Sequence, residues 1–95
     1  WMGVPVVTLA GVMSYSRFGV SLLSTLGLDH LIATTPEAYV KIAVELAKKR
    51  KHLAELRSGL RPRMATSSLC DAKAFVQGVE RAYRTIWRRW CESQK

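Results

Sequence analysis

A glycine-containing loop followed by a predicted helix start is the part of this sequence best suited to a chemical role. Gly11 follows an apolar run, and Ser14, Ser16 and Arg17 come shortly after it. Ser14 and Ser16 are both candidate N-caps, because serine is a preferred cap of helix N-termini. The free N–H groups and positive dipole end of such a terminus favour a phosphate. Arg17 would add a charged donor in the first turn. The pattern predicts a phosphate contact, and the competing interpretation is an ordinary capped helix.

Other combinations of reactive side chains are not found at useful spacings. His30 and His52 stand 22 residues apart, with no cysteine or carboxylate pair at metal-ligand spacing. Cys70 and Cys91 are 21 residues apart and do not resemble a metal pair. The sequence contains no GxSxG, P-loop or GxGxxG motif. We therefore expect no metal, no cofactor and no catalytic residue within this chain.

Charge is distributed unevenly along the chain. Residues 1–47 carry two basic and three acidic side chains, whereas residues 48–95 carry thirteen and four, which gives net charges of −1 and +9. Such a positive field could attract nucleic acid, anionic lipid or an acidic partner domain. A solvated basic face is the simpler interpretation, because the aromatic residues do not alternate with arginines as exposed stacking platforms would. Nucleic-acid binding through residues 48–95 remains the alternative function. The basic stripe of the last predicted helix comprises Arg81, Arg84 and Arg88, with Arg89 beside it.

Length and composition limit the class of protein. Ninety-five residues, 48% of them apolar, fit one small domain and exclude a multi-domain enzyme. No run approaches the roughly 20 apolar residues of a membrane-spanning helix, and no secretion signal is evident. We therefore expect a soluble, cytoplasmic protein with reduced thiols, without a membrane partner. Because the chain begins with Trp1 and not with methionine, we also expect it to be cut from a larger protein.

The first half predicts two strands around a helix. Residues 3–9 are apolar and rich in β-branched side chains, which favours a strand buried in a parallel sheet, with Pro5 near its start. Helical spacing predicts a helix over residues 15–26, ended by Gly27. Residues 31–33 form a second candidate parallel strand. Strand, loop and helix in this order make the half-unit of nucleotide-binding α/β sheets, whose loop lies at the ligand-binding edge.

The second half predicts helices. Thr35 and Pro36 form a helix start, since a hydroxyl caps the first turn and proline suits the first position. We expect a break within residues 48–51, a helix ended by Pro62, and an irregular connection over residues 61–70.

The last predicted helix spans residues 72–91 and is capped by Asp71. Its aromatic face requires a large docking surface, and Gly78 suggests close packing against a neighbour. Two short strands and small helices offer little such surface. The apolar face consists of Phe75, Val79, Ala82, Tyr83, Ile86, Trp87 and Trp90.

Several short motifs, in this order, resemble the carboxyl end of the O-linked N-acetylglucosamine transferase and SPINDLY family (glycosyltransferase family 41). Individually they are weak, but the ordered series is specific and extends over essentially all 95 residues. The series is WMGVPVVTLAG at the start, SR at 16–17, GVSLL at 19–23, LGL before LIA, LR at 56–57, SLCD at 68–71, and Phe75, Val79, Glu80, Ala82, Tyr83 and Trp87.

The resemblance implies an α/β fold: the end of the C-terminal Rossmann-like lobe of a GT-B enzyme, predominantly helical with one or two short parallel strands. Residues 1–70 would end that lobe and residues 71–95 would form a helix packing across the lobes. The parent, usually preceded by tetratricopeptide repeats, would transfer a sugar with inversion to Ser or Thr of proteins. N-acetylglucosamine from UDP is the expected donor, and fucose from GDP is possible. Gly11, Ser16 and Arg17 would bind the nucleotide sugar or position the loop.

The resemblance also implies what lies outside the chain. The nucleotide-contacting histidine and threonine-rich segment would precede Trp1, so the fragment alone would be inactive and would need the remainder of the catalytic domain, a nucleotide sugar and acceptor proteins as partners. Many relatives have an acidic or histidine-containing loop where this chain has Val12 and Met13. Because of that departure, the resemblance does not determine which sugar is transferred.

Overall fold

The computed structural model describes all 95 residues as two short parallel strands and four α-helices. This confirms a predominantly helical α/β chain with two short parallel strands. Short 3₁₀ turns at Ser14–Ser16, Asp29–Leu31 and Ser68–Cys70 connect the elements. In chain order the elements are β1 (Thr8–Leu9), α1 (Phe18–Thr25), β2 (Ile32–Ala33), α2 (Pro36–Lys48), α3 (Arg50–Ala65) and α4 (Ala72–Ser93).

The two strands pair in parallel, Thr8 with Ile32 and Leu9 with Ala33. The Ala10 N–H extends the ladder by donating to the Ala33 carbonyl at 2.8 Å. The prediction of a strand over residues 3–9 was too long, because a strand exists only where a partner supplies hydrogen bonds and β2 is two residues long. Helices α1 and α2 both contact this strand pair.

Helix α1 is shorter than the predicted helix over residues 15–26, because Ser14–Ser16 forms a separate 3₁₀ turn. Its end follows the prediction: Gly27 has φ of 71°, the left-handed conformation that glycine adopts without penalty. The Gly27 N–H donates to the Ser24 carbonyl and the Leu28 N–H to the Leu23 carbonyl, at 3.1 and 2.8 Å. This is the Schellman arrangement, and it places Leu23 and Leu28 together in the core.

The start of α2 and the break before α3 are confirmed. The Ala38 N–H donates to the Thr35 hydroxyl at 3.1 Å, and Lys49 is the single residue between the helices. The prediction that Pro62 ends a helix was wrong, since α3 continues to Ala65. Proline removes its own N–H bond, but its carbonyl still accepts from the Thr66 N–H at 3.1 Å, which holds the last turn.

The core is small and made of leucine. Only six of 95 residues are buried, and five of them form one cluster that joins α1, the turn after it and α3. Leu28 and Leu31 are the most completely enclosed, each about 1% exposed. The cluster is Leu23, Leu28, Leu31, Leu56 and Leu60.

Helix α4 is capped as predicted, by the Asp71 carboxylate accepting from the Ala74 N–H at 3.0 Å, and runs two residues beyond residue 91. It contributes no buried residue. A Cβ on Gly78 would meet no atom within 4 Å, so the close neighbour that this glycine suggested is not in the chain. The molecule is correspondingly elongated, 63 × 29 × 15 Å. The exposed apolar side chains of α4 are Phe75, Val76, Tyr83, Ile86, Trp87 and Trp90.

We expect the 95-residue chain alone to self-associate through the exposed α4 face, because each buried aromatic side chain contributes roughly 1.5–3 kcal/mol. Trp87 and Trp90 stack with ring centroids 5.2 Å apart and are both more than half exposed. Replacing both with Gln should shift the chain toward monomer in sedimentation velocity.

The matched control replaces Arg84 and Arg88 with Gln, two polar positions of the same helix. This variant should self-associate at least as strongly as the unchanged chain, because removing two positive charges lowers the repulsion between copies. A wild-type chain that stays monomeric at every concentration would contradict the prediction.

Candidate functional site

The candidate site is the loop from Gly11 to Arg17, which joins the carboxyl end of β1 to the start of α1. The strand pairing fixes one end of the loop through the Ala10 N–H. The other end runs through the 3₁₀ turn Ser14–Ser16 into α1. In parallel α/β sheets this edge is where ligands bind. The local structure therefore places all three predicted site residues in one short loop.

Gly11 is required by space and not by backbone conformation. Its N–H donates to the Ser16 carbonyl at 3.2 Å, which closes the loop. A Cβ at this position would overlap the Ser16 hydroxyl and lie 2.5 Å from the Ser16 Cβ. Its φ is not in the left-handed region, since only Gly3 and Gly27 have positive φ. Any larger residue would have to displace the Ser16 side chain.

Ser16 does not cap α1, and the prediction that Ser14 or Ser16 is the N-cap was wrong. The Ser16 hydroxyl donates to the Met13 carbonyl at 2.7 Å, and its N–H donates to the same oxygen at 3.0 Å. Both bonds belong to the 3₁₀ turn that separates the serines from α1. Ser16 therefore stabilises the loop, and the α1 N-terminus has no side-chain cap.

Arg17 is the N-cap residue of α1 and connects the two ends of the loop. One guanidinium nitrogen, Nη1, donates to the Gly11 carbonyl at 2.9 Å, and the Arg17 N–H donates to the Ser14 carbonyl at 3.0 Å. The side chain is exposed, and α1 begins at the next residue without a side-chain cap. A positively charged side chain and the uncapped backbone donors of a helix start therefore belong to adjacent residues.

Sequence reasoning missed Gly19, which lies in the first turn of α1. A Cβ there would lie 2.5 Å from the Thr8 Oγ1 and 2.9 Å from the Thr8 Cβ. Gly19 thus lets α1 approach β1 closely, the role of a helix glycine in dinucleotide-binding half-units. A second glycine eight residues after Gly11, within the predicted helix, was the signal available in the sequence.

The two histidines lie closer together than their spacing indicated, with ring centroids 5.9 Å apart. No group of three or more His, Cys, Asp or Glu side chains is arranged to hold a metal ion. Cys70 is exposed and Cys91 is partly buried, and both are free thiols.

Part of the basic charge serves the fold. On α3, Arg57 Nε donates to the Gly3 carbonyl at 3.3 Å, and Arg63 Nη1 donates to the Leu26 carbonyl at 3.5 Å. The Arg61 guanidinium lies 4.7 Å from the centroid of the Trp1 ring. Three arginines of the basic half therefore contact the body of the protein. The stripe Arg81, Arg84 and Arg88 on α4 is exposed, as predicted.

None of the helices has both the length and the apolar character needed to cross a membrane.

The chain has an α/β fold in which a parallel strand leads through a glycine loop, closed by Arg17, into a helix. This loop is a candidate anion-binding edge. The model of glycosyl transferase family 41 matches residues 1–79, and the chain belongs to that family.

Curated relatives agree along nearly the whole chain. Probable UDP-N-acetylglucosamine–peptide N-acetylglucosaminyltransferases SPINDLY from Oryza sativa subsp. japonica and Hordeum vulgare are 47% and 46% identical over 92 residues, 97% of this chain and 10% of each relative. The UDP-N-acetylglucosamine–peptide N-acetylglucosaminyltransferase of Caenorhabditis elegans is 34% identical over 90 residues, 95% of this chain and 8% of the relative. The chain thus spans about a tenth of the length of these proteins.

The contact between Gly11 and Ser16 predicts a measurable coupling. Gly11→Ala should lower the free energy of unfolding by about 1–3 kcal/mol, because overpacking forces neighbours to move. Ser16→Gly removes the obstructing atoms at the cost of its hydroxyl bond to Met13. The double variant should therefore be more stable than the sum of the single effects, by about 1 kcal/mol or more in a double-mutant cycle measured by urea unfolding.

The same substitution at Gly59 is the matched control, since a Cβ there meets nothing within 4 Å. Gly59→Ala should not destabilise α3, because alanine favours helix. Strict additivity of Gly11→Ala and Ser16→Gly would show that the two positions are not in contact.

Proposed function

We propose that this chain is the C-terminal part of a GT-B protein O-glycosyltransferase. Residues 1–70 end the second Rossmann-like lobe, and residues 71–95 pack back across the lobes. Family membership, the half-unit formed by β1, the loop and α1, and the unpartnered aromatic face of α4 support this assignment. The helix then finds its docking surface on protein that lies outside these 95 residues.

In this proposal the loop contacts the diphosphate of a sugar nucleotide. The observation that carries it is Arg17: its Nη1 holds the Gly11 carbonyl, and the residue itself is the N-cap of α1, which has no side-chain cap. Backbone N–H groups and a guanidinium from neighbouring residues suit a phosphate oxygen. Gly11 and Ser16 act by shaping the loop, and Arg17 acts by fixing it and by adding positive charge.

The proposed donor is UDP-N-acetylglucosamine, which the names of the relatives contain, and the proposed acceptors are Ser and Thr hydroxyls of proteins. GDP-fucose is the second donor to test, because Val12 and Met13 depart from the loop of many relatives. The reaction inverts the anomeric carbon. No residue of this chain is placed as a catalytic base, so the remainder of the catalytic domain supplies that group and most of the leaving-group stabilisation. The isolated chain is inactive.

The naturally expressed protein should transfer N-acetylglucosamine from UDP-N-acetylglucosamine to protein hydroxyls. Release of UDP coupled to a mass increase of acceptor proteins measures this, with GDP-fucose assayed in parallel. Turnover of GDP-fucose alone would support the proposed glycosyltransferase activity but would show that the donor is GDP-fucose and not UDP-N-acetylglucosamine. If neither nucleotide sugar is consumed with any protein acceptor, the proposed function is wrong.

Arg17→Ala should reduce kcat/KM for the donor by about tenfold or more, which corresponds to losing about 1.4 kcal/mol of interaction. Arg17→Lys keeps the positive charge but loses the forked N–H groups of the guanidinium, so we expect an intermediate kcat/KM. Arg84→Ala on α4 removes an equal charge far along the chain and should change little. Equal activity of Arg17→Ala and the wild type would exclude Arg17 from the site.

A further inference from the structure

Residues 1–7 lead into β1 without forming a regular element. Met2, Val4 and Val6 are exposed, and Pro5 and Val7 are only partly buried, so apolar packing holds this segment incompletely. A single side-chain hydrogen bond reaches it, from Arg57 Nε to the Gly3 carbonyl at 3.3 Å. The contacts that α3 makes with its first three residues, which we call the N-terminal turn, therefore contribute to the position of the segment.

The N-terminal turn is fitted closely to the backbone of α3. Gly3 has φ of 76°, in the left-handed region. A Cβ at Gly3 would lie 2.8 Å from the Arg57 carbonyl oxygen, which is main chain and cannot move aside. Only glycine satisfies both the conformation and the space. The contact spans 54 positions in sequence, so it is a tertiary contact and not a local turn.

Two arginines complete the contact from α3. Arg57 and Arg61 are four residues apart and therefore lie on one face of the helix. Arg57 holds the Gly3 carbonyl, and the Arg61 guanidinium lies 4.7 Å from the Trp1 ring centroid, a cation–π distance. The residues directly before them, Leu56 and Leu60, are buried in the leucine cluster. The same stretch of α3 thus packs in the core and holds the turn.

We infer that Arg57 and Arg61 are positioning residues that set the lengthwise position of β1 and, through it, the Gly11 loop. Strand β1 is anchored at Thr8 against Gly19 and, five residues earlier, at Gly3 against Arg57. The short segment between these contacts limits how far β1 can move while both contacts hold. Releasing the contact at Gly3 lets β1 shift against β2, to which two residue pairs and the Ala10 N–H bind it. An effect of these arginines on sugar-nucleotide binding rests on the proposed function. Their effect on the position of the Gly11 loop does not.

The test measures amide hydrogen exchange in the naturally expressed protein carrying Arg57→Ala or Arg61→Ala. Exchange at residues 10–17 should rise by about tenfold in Arg57→Ala, as expected for a lost hydrogen bond from a charged donor. Exchange at Ile42 and Leu46 of α2 should stay as in the wild type. Arg57→Lys retains a donor and should restore part of the protection. Arg84→Ala is the control of equal charge, with wild-type exchange throughout.

Activity gives the second readout. The KM for the sugar nucleotide should rise about fivefold in Arg57→Ala while kcat changes by less than about twofold, because the loop is displaced and the chemistry is not. If Arg57→Ala fails to fold, Arg61→Ala, which removes only the cation over Trp1, provides the same comparison. Unchanged exchange at residues 10–17, or an equal rise in α2, would overturn the inference. A wild-type protein that consumes no sugar nucleotide would refute the proposed function. The hydrogen-exchange result would still decide whether Arg57 and Arg61 position the loop.

Discussion

The packing of Leu56 and Leu60 of α3 against Leu23, Leu28 and Leu31 is the contact on which the rest of the structure depends. These side chains join α1, the turn that follows it and α3 through the only buried cluster. Leu23 and Leu28 are brought together by the Schellman end of α1, so a glycine with positive φ determines how the cluster closes. Because α3 is fixed by this packing, its arginines can hold Gly3, Trp1 and the end of α1.

A core of this size cannot cover the apolar surface that the sequence carries. Small domains bury a limited fraction of their surface, and here the aromatic face of α4 lies outside any contact with the leucine cluster. A second apolar surface, a groove of about 180 Å³ between the N-terminal segment, α1 and α3, is open as well. The chain thus has two uncovered apolar surfaces and spans about a tenth of its relatives' length. The groove includes Val4, Val6, Leu22, Leu26, Met64 and Leu69.

The candidate site combines local and distant constraints. Within the loop, Gly11, Ser16 and Arg17 are held by hydrogen bonds over at most six residues. The direction in which the loop faces depends on more distant contacts: Gly19 against Thr8 and Gly3 against α3. The arginines of the basic half, which suggested nucleic acid from charge alone, divide into a group on α3 that serves these contacts and an exposed stripe on α4. Charge in the sequence therefore did not by itself indicate a ligand.

Features determined by neighbouring residues could be derived from the sequence: the caps at Thr35 and Asp71, the termination at Gly27 and the break after α2. Hydrogen bonds between residues three to five positions apart decide these features, and side-chain type controls such bonds directly. The length of β1, the passage of α3 through Pro62 and the roles of Gly3, Gly19 and Arg57 depended on the tertiary structure. Each depends on which distant backbone lies alongside, and spacing along the chain does not contain that information.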